Sequence, residues 1–304
     1  MLLTGAERIA ALGYDYDAQP KESVSHCDLC GGDLFVVVAH GDRYGFRAEA
    51  HGCARCGLVF LNPRMTADAY ADFYRETYRP LVSAHHGHLI DAETVELEQA
   101  PYAENVADFL ASFVIDREVS SILDVGGSTG VVTEAVARRF GLRAALVDPA
   151  PAEVERARRR GIDAVVGTIE GFDGAGRVFD LVLLCQTIDH LLDVHASLAK
   201  LRSLLAADGL FFVDIVDFQA ACLQQPTVED AVKIDHPCYL TESTAEAYLA
   251  RTGFRWLRKD YAGDGLHVGY VCERCDPDPA ALPATASVDR LFHEIRRVHN
   301  RPSP

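Results

Sequence analysis

Two constellations in this chain have residue types and spacing suited to chemistry. The first is Cys27-Asp28-Leu29-Cys30-Gly31 together with Cys53-Ala54-Arg55-Cys56-Gly57. Two residues between cysteines fold each pair around one metal, and the glycine after each pair frees backbone N–H groups to point at sulfur. Four thiolates (Cys27, Cys30, Cys53 and Cys56) close a tetrahedron and leave no open coordination position. The spacing therefore predicts a structural zinc site and not a catalytic one. The second constellation is Ile122-Leu123-Asp124-Val125-Gly126-Gly127-Ser128-Thr129-Gly130, with Asp148 eighteen residues on. It reads as a short apolar strand ending in an acid, a glycine-rich turn, and an amphipathic run over residues 131–140. A second strand over residues 143–147 then ends in Asp148. Strand, glycine turn, helix, strand and acid form the opening of a nucleotide-binding α/β unit. Gly126 and Gly130 permit a sharp turn and close approach to a ligand, and Asp148 is placed to accept hydrogen bonds from two ribose hydroxyls.

Other reactive residue types carry blander readings. His85, His86 and His88 fall in a polar, aromatic connector over residues 78–88, read as a mobile loop placed to act as a lid, with metal binding the alternative. Arg156 and Arg158 to Arg160 read as a solvated face at a helix C-terminus, where the macrodipole favours positive charge. Cys272 and Cys275 lie near the end of the last strand. Residues three apart in extended chain face opposite sides, so these two are not expected to share a metal.

The elements that must position these residues follow from hydrophobic pattern. A short helix is expected over residues 6–12, then a ribbon hairpin of strands at 35–39 and 44–48, helical sequence over 67–74, and a helix over 92–114. Past Asp148 come a basic helix over 153–160, a third strand at 164–166, and the most continuous apolar strand, residues 179–185, as suits the middle of a parallel sheet. A helix over 196–205, a fifth strand at 210–216, a helix capped by Thr241 or Ser243, and an antiparallel pair around Gly263-Asp264-Gly265 complete the unit. The expected organisation is an N-terminal ribbon domain with its following helix (residues 1–80), a nucleotide domain (81–275, with a helical lead-in at 89–115), then a linker and C-terminal helix (276–304). That last helix is read as an arm, or as a surface for pairing with a second subunit in a homodimer.

Composition narrows the partners. A formal charge of −16 offers no positive field to steer bare nucleic acid or an anionic membrane towards the chain. No apolar run reaches membrane-spanning length, and the first thirty residues lack a charged-then-apolar signal. Nine cysteines, four in paired spacing, suit a reducing compartment, so a cytoplasmic location is expected.

The dinucleotide fingerprint asks for glycines at positions that here hold Gly126, Ser128 and Val131, a poor match. The order acid-x-Gly-x-x-x-Gly instead resembles the first motif of the class I S-adenosylmethionine-dependent methyltransferases, with Ser128 replacing the usual middle glycine. Phe179-Asp180 followed by Gln186-Thr187-Ile188-Asp189-His190-Leu191 resembles the fourth motif of that family, with Asp189 where glutamate is usual. Asp208-Gly209 resembles its Pro-Gly-Gly turn. The cysteine ribbon, Asp42-Arg43-Tyr44 and Cys56-Gly57-Leu58-Val59-Phe60-Leu61-Asn62-Pro63-Arg64 are similar to a bacterial subgroup working on glycans, lipid-linked sugars or secondary metabolites. The resemblance covers most of the chain.

The resemblance implies a seven-stranded Rossmann-like methyltransferase sheet with helices on both faces, plus a small N-terminal zinc-ribbon domain. It implies S-adenosylmethionine as cofactor, contacted by Asp124, Gly126, Gly127, Ser128, Gly130, Asp148, the adenine-flanking Pro149, Thr168, Ile169, Glu170 and Gln186. The reaction it implies is O-methylation of a small-molecule or sugar-type acceptor. C-methylation of a nucleotide-linked keto sugar is the alternative, and RNA base methylation a further one that the acidic charge opposes. A non-enzymatic reading, a decayed methyltransferase domain acting as a binding module, has Ser128 and Asp189 in its favour and Asp148 against it. If the acceptor is a hydroxyl, a base must take its proton, and histidine is best matched at neutral pH. His190 follows the fourth strand and His236 the fifth, so both reach the crevice outside the strand ends; Tyr239 is the further candidate.

Overall fold

The computed structural model describes residues 3–301. A seven-stranded sheet forms the middle of the molecule. Its strands are β6 (Ser121–Val125), β7 (Arg143–Asp148), β8 (Asp163–Val166), β9 (Phe179–Leu184), β10 (Leu205–Val216), β12 (Phe254–Tyr261) and β13 (His267–Arg274). They lie in the order β12-β13-β10-β9-β6-β7-β8, with β13 antiparallel to both neighbours and the rest parallel. The strand order reverses between β6 and β9. Their carboxyl ends therefore diverge into a crevice, which is where an open α/β sheet takes its ligand.

Both faces of the sheet are covered. Side chains alternate along each strand: Leu123, Val182, Phe211 and Val213 join one core, Ile122, Leu181, Leu183, Leu210 and Phe212 the other. The first core is closed by α7 (Val194–Leu204) and α9 (Glu242–Arg251), the second by α4 (Ala92–Val114) and α5 (Val131–Phe140). On α4 the residues Ala103, Val106, Ala107, Leu110 and Val114 are buried, a three-and-four spacing that presents one stripe to α5 and the sheet. The helix α6 (Pro151–Arg159) packs Val154 and Ala157 on Leu146. Its arginines are less free than a solvated face implies: Arg156 and Arg160 both pair with Glu96 of α4.

The N-terminal third departs from its expected form in three ways. First, the ribbon hairpin pairs β2 (Phe35–Ala39) with β3 (Ala50–Cys53), and residues 44–48 are not its second strand. The Asp42 carboxylate accepts the N–H groups of Tyr44 and Phe46 and holds that stretch in a turn. Second, the ribbon is not a distinct domain. Its strand β4 (Val59–Leu61) pairs with β11 (Cys238–Tyr239), and Cys27, Leu29, Cys53, Cys56 and Phe60 share a core with the central sheet. A two-stranded patch, β1 (Lys21–Glu22) with β5 (Arg64–Met65), steadies the entry to it. Third, His85 and His86 close a helix, α3 (Tyr78–His86), ended by Gly87 at φ 79°. Leu81 and Ala84 bury its inner face, and Arg8 of α1 (Gly5–Ala10) binds the carbonyls of Ala84 and His85. The preceding α2 (Ala67–Glu76) buries Ala69, Tyr70 and Phe73.

The C-terminal helix α10 (Thr285–His299) docks as an arm on its own chain. It buries Val288, Leu291, Ile295 and Val298, bonds His299 Nε2 to the Val38 carbonyl (2.8 Å), and lies against α8 (Phe218–Gln224). Among the described residues, no helix is long and apolar enough to cross a membrane. Leu110 is fully enclosed where α4 meets the sheet. Leu110→Ala is expected to lower the free energy of unfolding by about 2–5 kcal/mol through the cavity it leaves. Urea denaturation would register this as a lower midpoint at unchanged slope.

Candidate active site

The glycine turn sits where β6 ends, between the ends of β7 and β9. Gly126 (φ 72°) donates its N–H to the Val147 carbonyl at 2.8 Å. A Cβ built on Gly126 would fall 2.5 Å from the Thr187 side chain, and one on Gly127 2.8 Å from the Asp124 carboxyl group. The backbone thus approaches its neighbours as closely as glycine allows. Ser128 takes φ 50°, the left-handed conformation its glycine counterpart would adopt freely. Gly130 (φ 80°) then starts α5.

Asp148 meets this turn directly. One carboxylate oxygen accepts the Ser128 N–H (2.9 Å) and the other the Ala150 N–H (2.8 Å). Burial pushes its pKa up to about 6, with those two N–H groups pulling the other way. Asp124 is wholly enclosed; the Thr133 hydroxyl donates to one oxygen (2.6 Å) and the other has no partner. Burial raises its pKa to about 7. Gly167 donates to the Asp148 carbonyl (3.0 Å), which brings Thr168 beside the acid. Gln186 lies on the other flank at φ 49°, its N–H bonded to Asp214 (2.6 Å), whose second oxygen accepts the Tyr102 hydroxyl (2.7 Å). A cavity of about 590 Å³ opens there among Tyr102, Gln186, Phe212, Asp214, Tyr261 and His267. Pro149 is exposed, Ile169 sits in the core with Phe172, and Glu170 accepts a bond from Ser197 on α7.

The two histidines come together. His190, at the end of a short turn after β9, and His236, just before β11, meet edge to face with ring centroids 4.5 Å apart. The Tyr74 hydroxyl donates to the Asp235 carbonyl (2.7 Å) and lies 2.6 Å from His190 Nδ1. With the tyrosine proton so placed, His190 carries its own proton on Nδ1 and keeps a lone pair on Nε2. Burial lowers the pKa of both histidines, and for His236 the charge of Lys233 adds to the effect. Both imidazoles are therefore neutral near pH 7. Asp235 is buried beside them, one carboxylate oxygen 3.5 Å from His236 Nε2 and the other without a partner.

Tyr239 is adjacent, but its hydroxyl accepts from the Lys233 N–H and donates to the Lys233 carbonyl. The tyrosine whose hydroxyl faces the imidazoles is Tyr74, which sequence reasoning passed over. The spacing of Tyr70, Tyr74 and Tyr78, four residues apart on helical sequence, was the available signal.

The four cysteines of the ribbon converge. Their Sγ atoms all lie within 4.8 Å of one another, with Cys27 to Cys56 and Cys30 to Cys53 at 3.5 Å. A zinc–sulfur bond of ~2.3 Å implies tetrahedron edges of ~3.8 Å, so the donor set fits that ion. Gly32 donates its N–H to Cys30 Sγ. Asp28, inside the first knuckle, accepts from the Tyr248 hydroxyl of α9 (2.7 Å) and anchors the cluster to the helical layer. Cys272 is buried in the sheet and Cys275 lies past its end; neither belongs to a group of close metal-type donors among the described residues.

A family model described as "Methyltransferase domain" matches residues 95–259. The chain belongs to this family. Its fold and motifs are those of S-adenosylmethionine-dependent methyltransferases. Curated relatives of this methyltransferase-domain protein include the ubiquinone biosynthesis O-methyltransferase of Methylocella silvestris, 37% identical over 97 residues, which are 30% of this chain and 38% of the relative. The same-named enzyme of Methylobacterium nodulans is 32% identical over 101 residues, 31% and 40% of the two chains. C-methyltransferase NovU of Streptomyces niveus is 26% identical over 214 residues, 63% of this chain and 47% of that one. The match spans less than half the length of each. Among solved structures, an O-methyltransferase family protein from Burkholderia thailandensis shares the fold, with a TM-score of 0.50, 13% identity, and coverage of 61% and 60%.

The ribose hydroxyls of a bound nucleoside would donate to ionised Asp148. Affinity for S-adenosylhomocysteine is therefore expected to rise with pH through about 6 and then level off. Asp148→Asn should bind more than ~10-fold more weakly and lose that pH limb. Calorimetric titration across this range decides it; an asparagine variant of unchanged affinity would exclude the ribose role.

Proposed function

We propose that this protein transfers the methyl group of S-adenosylmethionine to a small molecule, with a hydroxyl as the acceptor. The observation that carries the reading is the pair of neutral imidazoles, His190 and His236, at the same switch point as the glycine turn. The cofactor would supply an electrophilic methyl with a sulfonium leaving group already built in. Asp148 and the turn at 126–130 hold the nucleoside, and Gln186 sits at the methionine end. His236 takes the acceptor proton, with His190 as its partner; Tyr74 and Asp235 fix the orientation of the pair. What remains for the protein is alignment and exclusion of water. The left-handed turn from Gly126 to Gly130, with the Asp148 carboxylate bonded to its Ser128 N–H, supports the nucleoside placement.

C-methylation beside a carbonyl is the second reading. The match to C-methyltransferase NovU favours it, because it extends over 63% of this chain where the O-methyltransferase matches cover about a third. The same imidazoles can remove a carbon-bound proton. The product separates the two, since a transferred labelled methyl on oxygen and one on carbon differ in NMR shift. The cysteine cluster holds one structural zinc in this proposal. Its four sulfurs leave no position for a substrate, and its surroundings are the core of the fold.

His236→Gln is expected to lower kcat by ~10²–10⁴-fold, with cofactor affinity nearly unchanged. The wild-type rate should rise with pH through the histidine pKa of the enzyme–substrate complex, and that limb should be absent from the variant. Near-wild-type turnover in His190→Gln, His236→Gln and the double variant would rule out histidine base catalysis. Separately, elemental analysis of protein purified without chelator should find one zinc per chain. Cys53→Ser should lose that metal and unfold at lower temperature.

A further inference from the structure

Ser128 breaks the glycine pattern of the turn, and the structure supplies a chemical reason for its presence. Its hydroxyl donates to Glu153 Oε2 at 3.1 Å, while its N–H donates to Asp148. The other oxygen of Glu153 receives Arg79 Nη2 of α3 at 2.9 Å. Glu153 is 9% exposed, so this is a shielded, charge-assisted pair. An acid in the first turn of a helix ordinarily needs no partner beyond the macrodipole. Here both oxygens are taken by side chains from elsewhere, one from the cofactor turn and one from the N-terminal helical layer. That layer carries Tyr74 and Tyr78, whose rings meet edge to face at 5.3 Å, and Tyr74 in turn contacts the His190 ring.

We propose that Arg79 and Glu153 are positioning residues that latch α3 onto the cofactor turn at Ser128, so that filling the cofactor site sets the acceptor-side helices in place. This rests on the nucleoside site proposed above. The latch also sets the charge around the ribose carboxylate. Asp148 faces Glu153 from α6, Arg79 from α3 and Asp124 from β6, and Arg79 is the single cation of that group. Removing Arg79 leaves the carboxylates uncompensated, and neutralising Glu153 relieves one of them.

The test uses the full-length protein and S-adenosylhomocysteine as probe. Ser128→Ala keeps the left-handed strain of the turn and removes the hydroxyl alone. This variant, Arg79→Gln and Glu153→Gln should each bind ~5–20-fold more weakly, and Arg79→Gln with Glu153→Gln should cost less than the sum of the two. Arg79→Lys should recover most of the affinity, because a single N–H contact is all the geometry uses. Two further readouts separate a latch from general loosening. The pH limb of binding near 6 should move up in Arg79→Gln and down in Glu153→Gln. Amide exchange over residues 67–86 should slow on ligand addition in the wild type and respond little in the variants. Variants that bind as tightly as wild type, or whose 67–86 segment responds fully to ligand, would overturn the latch while leaving the nucleoside site standing. A wild type that fails to bind the probe would remove the site itself, and the latch with it.

Discussion

The structure depends on one short piece of pairing, the two residues of β11 laid against β4. Cys238 lies opposite Phe60 and Tyr239 opposite Val59. Through that ladder the cysteine knuckles are joined to the segment that carries Asp235 and His236, and so to the reactive end of the crevice. The two knuckles lean on each other, because their four sulfurs converge within 4.8 Å from two separate loops. That support at Cys53 and Cys56 passes through three residues of β4 into β11. Tyr239 then spends its hydroxyl on the Lys233 backbone and pins the stretch from the other side. The Cys238 Sγ, against the carbonyls of Ile188, Asp189 and Leu191, ties the same strand to the turn that carries His190.

Much of this was legible in the residues. The seven strands appear because apolar runs of strand length are bounded by acids and glycines, and the central parallel ones, β6 and β9, are buried on both faces. The turn at 126–130 and Asp148 meet as their spacing demands. The four cysteines converge, and the histidines from two separate strand ends come into contact. What the pattern could not carry was decided by contacts distant in sequence. Residues 44–48 have the composition of a strand, but the Asp42 carboxylate captures two of their N–H groups and a third from Ile234. Residues 78–86 look like loop, since their polar atoms dominate; Leu81 and Ala84 find a buried surface only when α1 is folded over them. Tyr74 and Tyr239 are indistinguishable as letters. Their hydroxyls differ in use because one faces the His190 imidazole and the other the backbone of Lys233.

The same limit explains why the ribbon read as a separate domain. Its pattern is complete over residues 21–65: two knuckles, strands, polar turns. A domain boundary, however, is a statement about where contacts stop crossing. Here they do not stop. Phe60 and the cysteines lie in the core beneath Phe211 and Tyr248, and α10 covers the outer side with Leu291 and Val288 against Gly57.

That arrangement has a bearing on how the chain is made. The partners in the β4–β11 ladder are about 180 residues apart. At ~5–20 residues per second on the ribosome, β4 emerges roughly 10–40 s before the strand that will cover it. During that interval all four cysteines of the knuckles are already present and free to converge. The apolar edge of β4 cannot close, because what closes it has not been synthesised. The newborn ribbon therefore waits with one open flank. The pairing of β4 with β11 forms only after the chain has returned to where it began.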